Sequence, residues 1–121
     1  MEFKEIQYKV IMWARSKNLL KKENSFKQFA KVVEEVGEIA NELCRLKGSD
    51  KEGLKDAIGD TFVTLIILAK QNDLDALECL ESAYNVIKDR TGKTQNGVFI
   101  KDSDLIGDDL GDHYNEDGVR Q

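Results

Sequence analysis

Proline is missing from all 121 residues. Nothing therefore forces a helix to break or kink, and with 34% charged residues the composition leans towards long amphipathic helices. Histidine occurs once, as His113. A di-iron carboxylate four-helix protein normally needs Glu-x-x-His pairs inside its bundle. One histidine outside the predicted helices does not supply them. Cysteine occurs twice, as Cys44 and Cys79, both at apolar positions of predicted helices. They read as reduced core residues of a cytoplasmic protein. The longest apolar run, Phe62 to Ala69, is too short to span a bilayer. The start, Met1-Glu2-Phe3-Lys4-Glu5, is charged and unlike a signal peptide. No membrane partner is expected. No basic stripe marks a nucleic-acid surface either, and no Walker-type glycine loop cradles phosphate.

The net charge of −5 is uneven. Residues 102–121 hold seven acids and one base, so the remaining 101 residues carry 16 acids and 17 bases. The acidity belongs to a tail, read as disordered. The division expected is a helical domain over 1–101 and an acidic tail over 102–121.

Periodicity predicts four helices. The first runs from about Glu2 to Lys17, with Phe3, Ile6, Val10 and Trp13 as its buried stripe. The second runs from Ser25 to about Lys47. Ser25 and Gln28 have the spacing of a capping box. Its apolar arc holds Phe29, Val33, Val36, Ala40, Leu43 and Cys44, and a separate stripe holds Gln28, Lys31, Glu35, Glu38 and Glu42. The third runs from Ser49 or Asp50 to about Gln71, with a second capping box at Ser49 and Glu52. It is apolar nearly all round beyond Asp60, which implies a covering partner subunit. The fourth runs from about Leu74 to Asp89. Val98-Phe99-Ile100 reads as a short strand or an extended arm.

The acids give the chain its chemistry. Val33-Glu34-Glu35-Val36-Gly37-Glu38 and Asp56-Ala57-Ile58-Gly59-Asp60 each put carboxylates on successive helical turns, with a glycine before the last acid. A mid-helix glycine costs about 1 kcal/mol against alanine. Two of them suggest that two backbones approach closely. With a turn near Ser49, residues whose numbers sum to about 98 lie level in a helical hairpin. Glu38 then faces Asp60, and Glu42 faces Asp56. Such acids repel unless a divalent cation sits among them. All-oxygen ligation favours Mg²⁺, with Mn²⁺ as an alternative. Such a metal suits polyphosphate chemistry. Lys88, Arg90 and Lys93 would balance the remaining phosphate charge. Trp13 reads first as core and second as a platform for a nucleobase.

With these residues in view, the chain resembles the MazG-like family of all-α nucleoside triphosphate pyrophosphohydrolases. The likeness covers most of residues 1–101. It rests on Glu34-Glu35-Val36-Gly37-Glu38 and on the acid-rich helix ending Ile58-Gly59-Asp60. It also takes in Trp13, Gln28, Lys31, and the Asn85-x-x-Lys88-x-Arg90-x-Gly92-Lys93 segment. The resemblance implies an all-α four-helix bundle completed by oligomerisation, with a short C-terminal extended arm. It implies Mg²⁺-dependent hydrolysis of nucleoside triphosphates, NTP or dNTP, between the α and β phosphates, in a homodimer or homotetramer. Glu35, Glu38 and Asp60 match family metal ligands. Glu34 matches the first acid, as ligand or as base for the attacking water. Asn85, Lys88 and Arg90 match positions that meet phosphate or sugar. The family's remaining Glu falls at Ala57, and Asp56 is the nearest substitute. A catalytically weak nucleotide-binding or interaction module is the alternative.

Overall fold

The computed structural model describes residues 1–46 and 50–105. It is mostly helical: α1 Phe3–Ser16, α2 Ser25–Arg45, α3 Glu52–Gln71 and α4 Ala76–Ile87, then a hairpin of β1 Gly92–Gln95 and β2 Val98–Lys101. The acidic stretch 106–121 and the turn residues 47–49 lie outside the described residues. No helix among the described residues is long and apolar enough to cross a membrane. The chain forms two compact units, Met1–Glu81 and Ser82–Gln121, with the boundary inside α4.

In the first unit, α2 and α3 lie antiparallel, and α1 packs on α3. The helix ends are built by local chemistry. Glu2 and Glu5 form a capping box at the start of α1. The capping box expected at Ser25 does not form. A 3-10 turn, Lys22–Asn24, runs straight into α2, so Ser25 is already helical and its hydroxyl donates to the Lys22 carbonyl. Gln28 is thereby free to reach α3. At the start of α3, Asp50 Oδ1 accepts the Glu52 N–H at 3.3 Å. Two helices end alike. Leu19 N–H bonds Ala14 O while Asn18 N–H bonds Arg15 O, and Leu74 N–H bonds Ala69 O while Asp73 N–H bonds Lys70 O. These are Schellman ends, with Asn18 at φ 61° and Asp73 at φ 58° in the left-handed position that glycine fills most easily.

The core is small. Ala14, Val32, Ala57, Ile66 and Ile67 are its buried apolar residues. α1 is turned from its expected orientation. Gln7 and Ala14 are buried on it, whereas Ile6 and Trp13 are about half exposed. Gln7 explains the turn. Its amide donates to Asp75 Oδ1 at 3.2 Å, and its carbonyl oxygen accepts the Leu77 N–H at 3.0 Å. It thus holds one of the orphan amides that open α4. Asp75 completes this cap by accepting the Glu78 N–H at 3.0 Å. Cys44 and Cys79 are exposed, not core.

In the second unit, β1 and β2 pair antiparallel with Gln95 opposite Val98. Asn96 and Gly97, both at positive φ, make the two-residue turn that right-twisted hairpins prefer. Of the short strand or extended arm expected at Val98–Ile100, the strand is what forms, as one side of a hairpin. Thr91 and Asp102 close its open end, with Asp102 N–H on Thr91 O at 2.9 Å.

Two predictions follow from the helix ends. Asp73→Gly should stabilise the protein by about 1 kcal/mol, because it removes left-handed strain and a negative charge at a helix C-terminus. Unfolding in urea measures this. The Asp75 carboxyl lies below its ordinary value of 3.8, chiefly through the Glu78 amide and with help from Gln7, against the opposing effect of partial burial. A lowered carboxyl adds stability above its ordinary value, and this is lost as pH falls through the folded-state value. Asp75→Ala should therefore be less stable than wild type at neutral pH, with the gap narrowing below pH 3.8.

Candidate functional site

The site is set by which side of α2 meets α3. Gln28 Nε2 donates to the Thr64 carbonyl at 3.1 Å. Val32 is buried, and Glu35, Ile39 and Glu42 are half-buried along the same side. A side chain added at Gly53 would meet the Glu42 carboxylate. The expected apolar arc lies elsewhere: Phe29, Val33, Val36 and Leu43 are each at least half exposed. The cause is the pull of Gln28 and the small Gly53 surface on the polar edge of α2.

The register differs from expectation as well. Gln28 meets Thr64, Glu42 meets Gly53 and Ser25 meets Asn72, so paired numbers total 92, 95 and 97 rather than 98. Glu42 therefore lies beside Gly53, not beside Asp56. The slide moves the acids of α2 towards the turn by about one helical step.

A cavity of about 600 Å³ lies at this junction. Glu35 comes from α2, Asp60 from α3 and Trp13 from α1. Lys27, Gln28 and Lys31 flank Glu35, and Thr64, Ile67 and Gln71 continue the α3 wall. Its volume fits a small organic ligand. Trp13, half exposed, can offer a ring face to a base. Lys31 bonds Glu34 at 3.0 Å. That bond, then the Glu34 and Glu35 charges, hold the Lys31 ammonium above its ordinary range. It stays cationic beside any phosphate.

Of the expected metal ligands, Glu35 and Asp60 share the cavity. Glu38 and Asp56 are exposed and are not among its walls. Asp60 too is exposed, although it lines the cavity. Among the described residues, no three or more Asp, Glu, His or Cys side chains are gathered closely enough to hold a metal ion. Ala57, where the family Glu would fall, is 2% exposed. Glu35 and Asp60 are the two carboxylates that the cavity offers a cation. That ion keeps several waters and commonly takes one or two protein carboxylates together with substrate phosphate oxygens. Glu34 is exposed and tied to Lys31. Asn85, Lys88, Arg90 and Lys93 are exposed residues of the second unit.

The cavity also holds residues that the sequence reading passed over: Asn24, Lys27, Thr64 and Gln71. The last two were within reach of it. Thr64 lies one turn beyond Asp60, and Gln71 one turn beyond Ile67, on the face of α3 that lines the cavity. Gln71 is 3% exposed, and its amide donates to the Leu19 carbonyl at 2.8 Å, tying the end of α3 to the segment after α1.

Comparison with known proteins adds one relative. The chain is 42% identical over 65 residues to an uncharacterized 18.2 kDa protein in the rep-hol intergenic region of Haemophilus phage HP1 (strain HP1c1). The match covers 54% of this chain and 38% of the phage protein. No protein-family model and no solved structure matches the chain.

Gln28→Ala should lower stability by about 1 kcal/mol, since it removes the bond to Thr64, a typical net worth for one intramolecular hydrogen bond. An unchanged unfolding midpoint would show that this amide does not hold the two helices in register.

Proposed function

We propose that the chain is a MazG-like nucleoside triphosphate pyrophosphohydrolase that works with Mg²⁺. One observation carries this reading: Glu35 and Asp60, from two helices, share a cavity with Lys27, Lys31 and Trp13. Carboxylates for a hard cation, ammonium groups for phosphate and an aromatic face for a base are the parts such a reaction needs. When bound, Mg²⁺ would offset phosphate charge and lower the pKa of the attacking water. Glu35 and Asp60 would hold it, with Glu38 one turn from Glu35 as the next carboxylate available. Lys31 would bind phosphate oxygens. Glu34, already bonded to Lys31, is placed to orient that lysine or to take a proton from water. The products would be a nucleoside monophosphate and pyrophosphate. Asn85, Lys88, Arg90 and Lys93 remain proposed contacts to phosphate or sugar, and a homodimer or homotetramer the proposed assembly.

The sparse carboxylate set favours a second reading, a catalytically weak module that binds nucleotide without turning it over. Ala57 in place of an acid points the same way.

A screen of canonical and modified nucleoside triphosphates with Mg²⁺, followed by chromatography, separates the two. The enzyme releases pyrophosphate, and Asp60→Asn or Glu35→Gln loses at least tenfold in rate, which is about 1.4 kcal/mol of transition-state stabilisation. The binding module shows a nucleotide-dependent rise in melting temperature and no pyrophosphate. Neither signal would remove the proposal altogether.

A further inference from the structure

Gln71 is the last residue of α3, and it is 3% exposed. Its amide nitrogen donates to the Leu19 carbonyl at 2.8 Å. A carbonyl can only accept, so that bond fixes which way round the amide lies. The other end of the amide, Oε1, is buried and has no hydrogen-bond partner. No other buried side-chain nitrogen or oxygen among the described residues lacks one. A buried acceptor left unpaired is costly, and native proteins leave few of them. Gln71 also lines the cavity that holds Glu35 and Asp60. An orphan acceptor in the wall of a cavity calls for a donor on the molecule that binds there.

The two ends of this cavity differ. Glu35, Asp60 and Lys31 belong to one end. At the other, the Asn72 amide donates to the Ser25 hydroxyl at 3.0 Å, which brings Asn24 and Gln71 together. Leu19, which holds Gln71, donates its own N–H to the Ala14 carbonyl at 3.0 Å, so Trp13 stands at that end too. At 1.5 Å per residue the stretch from Asp60 to Gln71 is roughly 16 Å long. That is comparable with the reach of a nucleotide from a cation-held phosphate to the outer edge of its base.

Asn24 completes the pattern. It stands at the N-cap of α2, where asparagine is favoured as a cap, yet it makes no capping bond. It lines the cavity instead. Its amide can donate as well as accept, and a donor is what Gln71 does not offer.

We propose that this end of the cavity reads the base, and that Gln71 selects bases with an exocyclic amino group beside an unprotonated ring nitrogen, as in adenine and cytosine. The amino group donates to Gln71 Oε1, and the ring nitrogen accepts from Asn24. Hypoxanthine and uracil present the reverse, a carbonyl oxygen beside a ring N–H. Oxygen would then face oxygen at Gln71, and the orphan would stay unpaired. A site built on buried hydrogen-bonding groups rejects ligands that leave those groups unpaired. Seating the donor takes a small shift of the wall, which a ligand anchored at its phosphates can drive. Trp13 adds affinity without choice, because every base has a π face. The inference rests on the nucleotide reading of the cavity and adds the class of base to it.

Calorimetric titration of the full chain with Mg²⁺ and α,β-methylene triphosphates tests it. Cytidine against uridine, and adenosine against inosine, exchange the amino edge for the oxo edge. In whichever pair binds more tightly, the wild type should favour the amino member at least tenfold. Gln71→Met keeps the length of the side chain without the acceptor, and should bring that ratio to within about twofold. A merely structural glutamine would, when lost, weaken both members alike and leave the ratio unchanged. The wild-type ratio is read even where the variant does not fold. Equal binding of the two members, preference for the oxo member, or an unchanged ratio in Gln71→Met would overturn the proposal. Pyrophosphate release from the natural triphosphates separates the two readings. Release with equal kcat/KM from both members of a pair overturns base selection alone. Absence of both binding and release overturns the nucleotide reading of the cavity, and base selection with it.

Discussion

Everything else in the first unit depends on α2 meeting α3 with its polar edge. Packing by hydrophobicity alone would turn Phe29, Val33 and Val36 inward. Instead, the Gln28 amide bonds a backbone carbonyl of α3, and such a bond contributes about 1 kcal/mol. Val32 and Ile39 fill the space between, and Glu42 lies over Gly53. This choice brings Glu35 to Asp60 at the cavity, and it also leaves the apolar arc of α2 outside. The small core and the exposed apolar arc of α2 are two consequences of one rotation of that helix.

That rotation separates what the sequence disclosed from what it hid. The four helices, the antiparallel order of α2 and α3, and the end of α3 near Gln71 were legible from periodicity and turn residues. The close backbone approach expected at Gly37 and Gly59 is not seen, since a side chain added at either would meet nothing within 4 Å. The orientation of α2 was not legible, because an apolar arc in a sequence looks the same whether it faces a core or another subunit. The register was misplaced for a related reason. It was counted from an assumed turn at Ser49, whereas the observed register follows the contacts of Gln28 and Glu42. The β-hairpin was half legible. Val98–Ile100 stood out as apolar, but Gly92–Gln95 carries no strand pattern and gains its form from its partner and from Asn96-Gly97, whose turn chemistry was there to be read.

The candidate site was legible in part for a similar reason. Trp13, Gln28, Lys31, Glu35 and Asp60 were singled out and line one cavity. Glu38 and Asp56 were expected there by level pairing. The shifted register takes away that reason and leaves them exposed. A carboxylate at position 57 would have lain between the helices, as the 2% exposure of Ala57 shows. Its absence leaves a two-acid site, which suits an ion held jointly by protein and substrate better than one caged by protein alone.

The register of α2 on α3 is the claim on which these consequences rest, and a pair of distances tests it directly. Cys44 and Cys79 are exposed and can be replaced by serine. Spin labels are then placed at 35 and 60 in one protein and at 38 and 60 in another, each diluted with unlabelled chain so that only distances within one molecule are read. The account predicts the shorter distance for 35 and 60. A shorter distance for 38 and 60 would contradict it, and would return α2 to the register in which Glu38 faces Asp60.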